Sequence, residues 1–144
     1  MRPDPKMSLA EVEAFLEAEF PQLRHGGRIM VRVESVGPMT ARLRLHSDER
    51  HLRPGGTVSG PAMFMLVDVG IYVAILAQIG PVALAVTTNL NINFLRKPPH
   101  GDILAEISLL KLGKRLAVGE ATLFAEGDDE PVAHAVGTYS IPPR

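Results

Sequence analysis

The segment PAMFMLVDVGIYVAILAQIG, Pro61 to Gly80, constrains the fold more than any other stretch of this chain. It is apolar on every side, so it has no face to give to water and must be enclosed by the rest of the protein or by a bilayer. Ser59 stands where an N-cap belongs, Pro61 falls in the first turn and Gly80 stands as C-cap, so helix start and stop signals frame the run. The run is about the minimum length for a membrane span, and Asp68 at its centre would cost roughly 2.5–3.5 kcal/mol on insertion scales. A buried helix is expected instead, and the 144-residue chain supplies one domain's worth of cover.

The flanking sequence provides that cover. An amphipathic helix is expected from about Ser8 to Glu19, with Ser8 and Glu11 at capping-box spacing, Leu9, Val12, Phe15 and Leu16 on one face, and Pro21 closing it. RIMVRVESV and TARLRLH alternate apolar and charged residues as half-buried strands do, with a hairpin turn at Gly37-Pro38. Ser47 to Gly60 is polar and rich in Gly and Pro, which reads as a surface loop. After the buried helix, four strands are expected at about Val82 to Leu95, Asp102 to Leu112, Arg115 to Ala125 and Val132 to Ile141, forming an antiparallel meander. In the third, Ala117, Gly119 and Ala121 share a face; in the fourth, Ala133, Ala135 and Gly137 do. Two smooth neighbouring strands invite close approach by another backbone, and the apolar helix is the candidate. The expected class is α+β, one long buried helix wrapped by a curved antiparallel sheet. Residues 1–27 are read as an N-terminal helix and lead-in, and 28–144 as a single domain.

Composition removes several functions. Fifteen Lys and Arg balance sixteen Asp and Glu, and no block of like charge offers a nucleic-acid footprint. There is no cysteine, hence no disulfide framework or thiolate chemistry, and a cytoplasmic setting is expected. The first twenty residues carry four glutamates and do not read as a signal peptide. His25, His46, His51, His100 and His134 show no metal-ligand spacing, so no metal is expected. Serine-hydrolase elbows, Walker loops and dinucleotide fingerprints are missing from the sequence.

Asp68 is the only charge between Arg53 and Arg96. Burying a carboxylate demands a partner or prepares it as a general base; otherwise it lies at a helix edge facing solvent or a subunit contact. The Gly60 amide at the positive end of the helix suits a carbonyl or anion, while the same residues also read as a plain Ser cap with Pro in the first turn. From Val86 to Phe94 the residues alternate, with Val86, Thr88, Leu90, Ile92 and Phe94 on one face and Thr87, Asn89, Asn91 and Asn93 on the other as an uncharged polar stripe. Arg96 and Lys97, then Lys114 and Arg115, are strand-end cations where a phosphate-bearing ligand could dock, though solvated turn charges explain them equally well.

This order of elements resembles the hot-dog fold, and the details resemble the PaaI-type acyl-CoA thioesterases over about Arg28 to Ile141. VSGPAMFMLVD is similar to the family segment HGGxxxxLxD, with Ser59, Gly60 and Pro61 at the positions of His, Gly and Gly and Asp68 at that of the catalytic acid. TTNLNINFLRKPPHGDILAE is similar to the strands that follow, with Thr87 where a Ser or Thr helps to hold the attacking water. LGKRLAVGEATLF resembles the hairpin whose basic residues approach the phosphates of coenzyme A, and Arg53 stands about where an Asn often positions the thioester. The resemblance implies hydrolysis of acyl-CoA thioesters without a further cofactor. It also implies a homodimer or dimer of dimers, with Gly60 from one chain and Asp68 with Thr87 from the other. A catalytically silent acyl-CoA-binding or assembly module is the alternative.

Overall fold

A computed structural model describes residues 2–25, 28–81 and 85–143. In chain order the elements are α1 (Leu9–Glu19), a 3-10 turn (Pro21–Leu23), the short strands β1 (Arg24–His25) and β2 (Arg28–Ile29), β3 (Val31–Gly37) and β4 (Thr40–Leu45). A second 3-10 turn (Glu49–His51) leads to α2 (Gly60–Ile79), followed by β5 (Val86–Phe94), β6 (Ile103–Leu112), β7 (Leu116–Ala125) and β8 (Pro131–Ser140). The hot-dog arrangement expected from the sequence is the one the chain adopts, with α2 packed against an antiparallel sheet.

The caps work as the sequence implies. Ser8 Oγ accepts from Glu11 N–H at 3.2 Å while Glu11 Oε1 accepts from Ser8 N–H at 3.1 Å. Ser59 Oγ accepts from Ala62 N–H at 3.3 Å, and Gly80 N–H donates to the Leu76 carbonyl at 2.8 Å. By length and hydropathy α2 could cross a bilayer, yet nearly all of it from Leu66 to Gln78 is buried within the protein.

The stripe of small residues is what lets α2 lie so close. A Cβ on Gly119 would come within 2.9 Å of Ile71 Cγ2, and one on Gly137 within 3.0 Å of Ile71 Cδ1. The same closeness recurs in reverse at Gly70, where a Cβ would lie 2.7 Å from Ile107 Cδ1 of β6. Ala117, Ala121, Ala133 and Ala135 are all buried on that inner face.

The sheet departs from the expected meander in one respect. Its order is β3-β4-β6-β7-β8-β5, so β6, β7 and β8 are successive neighbours but β5 pairs with β8 and β4 takes the free edge of β6. The reason lies in the connection after β5, which is tied to the long loop before α2: Val58 N–H donates to the Pro98 carbonyl at 3.0 Å, and Thr57 bridges Pro99. The edge strands of the sheet are thereby β3 and β5, each paired on one side only. The strand expected from Val82 begins at Val86, and its residues 82–84 lie outside the described part. The run from Arg28 is broken at Met30 into β2 and β3. The loop from Ser47 to Gly60 contains the turn Glu49–His51 and a bridge between Leu52 and Val58.

Segment α1 packs on β3 and α2. Val12 and Leu16 are buried, Lys6 and Met7 N–H both donate to the Ala77 carbonyl, and Gln78 Nε2 donates to the Pro3 carbonyl at 2.9 Å.

Candidate active site

Asp68 lies in the middle of α2 and is half-buried. Its Oδ1 accepts two hydroxyl hydrogen bonds, from Thr87 of β5 at 2.5 Å and from Tyr139 of β8. The Tyr139 hydroxyl also lies 2.6 Å from the main-chain oxygen of Asp68. Burial, and then its hydrogen bond to Asp68, push the Tyr139 phenol far above its ordinary 10.0, so it stays protonated and donates. Among the described residues no partner is found for Asp68 Oδ2.

Thr87 reaches Asp68 because β5 is not regular. Thr87 pairs with Tyr139 and Asn89 with Thr138, so Thr88 is the extra residue of a bulge. The bulge shifts the alternation by one. Thr87 therefore joins Leu90, Ile92 and Phe94 on the side of α2, opposite Tyr139, Gly137, Ala135 and Ala133, instead of the outer stripe of Asn89, Asn91 and Asn93. Strict alternation would have aimed its hydroxyl away from the carboxylate.

Three cavities meet at Asp68. The first, about 400 Å³, runs between α1 and α2 and is lined by Glu19, Phe20, Gln22, Tyr72, Thr87 and Tyr139 among others. The second, about 260 Å³, adds Met30, Arg50, His51 and Met65. In it, burial holds the His51 imidazole below its usual range, and His51 Nδ1 accepts from Asp48 N–H at 2.9 Å. The third, about 560 Å³, is an open apolar trough formed by Gly60, Pro61, Phe64, Met65, Ile92 and Phe94.

The remaining candidates separate into two groups. Ser59, Gly60 and Pro61 start α2, eight residues before Asp68, which at 1.5 Å per residue is about 12 Å along the axis. No acceptor is found for the Gly60 amide among the described residues, and the Phe94 ring lies over this glycine, 3.3 Å from where a Cβ would stand. Arg53, exposed and turned back on Thr57, belongs to this end, as do Lys97 and Arg96, the latter paired with Glu130. Lys114 and Arg115 are at the other end. Ile141 N–H donates to the Arg115 carbonyl at 2.8 Å, beside the strand ends that carry Tyr139 and Thr87.

Tyr139 and His51 were not among the residues singled out from sequence. For Tyr139 a signal existed: it continues the inward face of Ala133, Ala135 and Gly137, and a tyrosine ending such a stripe brings a hydroxyl that must find a partner.

Residues 55–132 match the model of the family described as the Thioesterase superfamily. A crystal structure of a protein assigned as a thioesterase, from a Silicibacter species, superposes with a TM-score of 0.87 at 47% identity, covering 96% of this chain and 94% of that one. A protein assigned as an esterase in Halobacterium salinarum is 32% identical over 119 residues, 78% of each chain. The phenylacetic acid degradation protein PaaI from Thermus thermophilus shares the fold, with a TM-score of 0.69 at 22% identity over 90% of this chain and 99% of that one.

Proposed function

Since this chain belongs to the thioesterase superfamily, and is thus a hydrolase of the thioesterase and esterase kind, we propose that it hydrolyses acyl-CoA thioesters to the free acid and coenzyme A. The observation that carries this reading is Asp68, which lines three cavities and has one carboxylate oxygen held by two hydroxyls and the other without a partner among the described residues.

Gly60 and Asp68 of one chain lie too far apart to serve the same carbonyl, so the site is formed between two copies. The edge strand β5 supports this. An edge with unpaired backbone groups accepts another strand, and two copies related by a two-fold axis pair it antiparallel with itself. That pairing brings the Phe94 end of one β5, with Gly60 under it, next to the Thr87 end of the other, with Asp68 behind it. The apolar trough of Phe64, Met65, Ile92 and Phe94 is covered in the same step.

In the assembled site the Gly60 amide, at the positive end of α2, polarises the thioester carbonyl. Asp68 Oδ2 takes a proton from water as the water oxygen bonds to the carbonyl carbon; collapse of the adduct breaks the carbon–sulfur bond, and the proton passes to the coenzyme A thiolate. Thr87 spends its hydroxyl proton on Oδ1 and keeps its oxygen as an acceptor for that water. Direct attack by the carboxylate through a mixed anhydride uses the same atoms. Lys114 and Arg115, at the Thr87 end, and Arg96 and Lys97, at the Gly60 end, then flank the seam as phosphate contacts.

The test is release of free coenzyme A from a panel of acyl-CoA esters, followed with a thiol reagent that this cysteine-free chain does not itself consume. Asp68→Asn should lower turnover by roughly 100-fold or more with the fold intact. The competing reading, a silent acyl-CoA-binding module, is favoured by the Phe94 ring over Gly60 and by Ser59 and Pro61 at the family's His and Gly positions. It predicts binding of the esters with no thiol released.

A further inference from the structure

We propose that Tyr139 is a positioning residue for the hydrolysis: its hydroxyl locks Asp68 so that Oδ2 alone is presented to the reacting water. The inference rests on the reading of Asp68 given above and adds to it the group that holds the carboxylate in place.

One hydroxyl oxygen bridges two atoms of the same residue, the Asp68 main-chain oxygen at 2.6 Å and its side-chain Oδ1. The first atom is fixed by the helix, so the bridge defines the rotation of the side chain relative to α2. Thr87 approaches the same Oδ1 from β5, and two donors on one oxygen leave the carboxylate plane little freedom. Tyr139 itself is rigid. It is 1% exposed, lies near the end of β8 between β7 and β5 and has Gly137 beside its ring, so the phenol is held in place by its packing.

The other titratable groups facing this position are Glu19 at the end of α1 and Tyr72 on α2 in the first cavity, and Arg50 and His51 from the Glu49–His51 turn in the second. Among the described residues, the hydrogen bonds to the carboxylate itself come from Tyr139 and Thr87.

The experiment compares Tyr139→Phe with the unaltered protein and with Asp68→Asn, measuring kcat and KM on an ester the protein accepts. Tyr139→Phe should lower kcat by about tenfold or more with KM little changed, because the carboxylate loses the contact that orients it. A lowered melting temperature with kcat unchanged would make Tyr139 a core residue only and overturn the inference. Turnover undiminished in Asp68→Asn would instead overturn the reading of the site. A second readout does not require Tyr139→Phe to fold. The chain has two tyrosines and no tryptophan, so Tyr72→Phe leaves Tyr139 as the sole emitter. Asp68→Asn in that background should raise its fluorescence by removing a quenching carboxylate hydrogen bond, and unchanged emission counts against the inference.

Discussion

The two edges of the sheet are treated in opposite ways. At β3 the chain covers its own edge: Glu13 of α1 puts Oε1 on Val33 N–H at 3.0 Å, and Met30 N–H donates to the Leu23 carbonyl at 2.9 Å. A register shift at Glu34 further interrupts the strand, and Glu34 is held between Arg44 and Arg42. Bulges, charges and covering elements are the means by which proteins close an edge to other strands. At β5 the one bulge falls at Thr88, and from Asn89 to Phe94 no charge or covering element is found among the described residues. Nine residues run without a charge, Asn89, Asn91 and Asn93 face outward, and Val86, Phe94 and Leu95 are at least half exposed. The edge left open is also the one that carries Thr87 and borders Gly60, so the proposed assembly and the proposed chemistry share one strand.

The sharpest way to break that link is to divide the site between two inactive variants. Asp68→Asn and Gly60→Val should each be inactive alone; when the two chains are co-refolded, hybrids restore one complete site, giving about a quarter of the original turnover for random pairing in dimers. A mixture no more active than its parents would show that Gly60 and Asp68 do not meet across a seam. The three atoms nearest a Cβ at Gly60 all belong to the Phe94 ring, which is half exposed.

A smaller effect is expected at the centre of the open edge. Asn91→Lys puts like charges opposite each other near a two-fold axis, and should weaken self-association by roughly tenfold or more. Sedimentation would then show the 15.6 kDa monomer accumulating on dilution, with turnover falling in step. The smallest effect belongs to the closed edge. Glu13→Ala leaves Val33 N–H without its carboxylate acceptor and should cost about 0.5–1.5 kcal/mol in the urea unfolding curve, with association and turnover unchanged. Loss of assembly in Glu13→Ala would erase the distinction between the edges.

Much of the fold could be read from local patterns, since each depended on residues close in sequence. Ser8 with Glu11, and Ser59 with Pro61, define helix starts whichever partners the helices later find. The stripe of Ala117, Gly119, Ala121, Ala133, Ala135 and Gly137 announced where α2 would rest. The placement of β5 was not legible in this way. Its alternation reads equally well beside β6 or beside β8, and the choice came from a loop tied to residues some forty positions upstream.

The site divides along the same line. The sequence by itself determined that a lone carboxylate would sit in the middle of an enclosed helix, that a glycine amide would head that helix, and that a threonine would lie near the start of the next strand. These follow from composition and period, which act over a few residues. Only the tertiary structure decided that Thr87 faces Asp68, because a single bulge at Thr88 inverts the side to which it points. It alone brought Tyr139, seventy-one positions away, onto the main-chain oxygen and Oδ1 of Asp68. Such contacts depend on strand register, and register is set by the packing of the whole inner face against α2, a property that no short stretch of sequence carries.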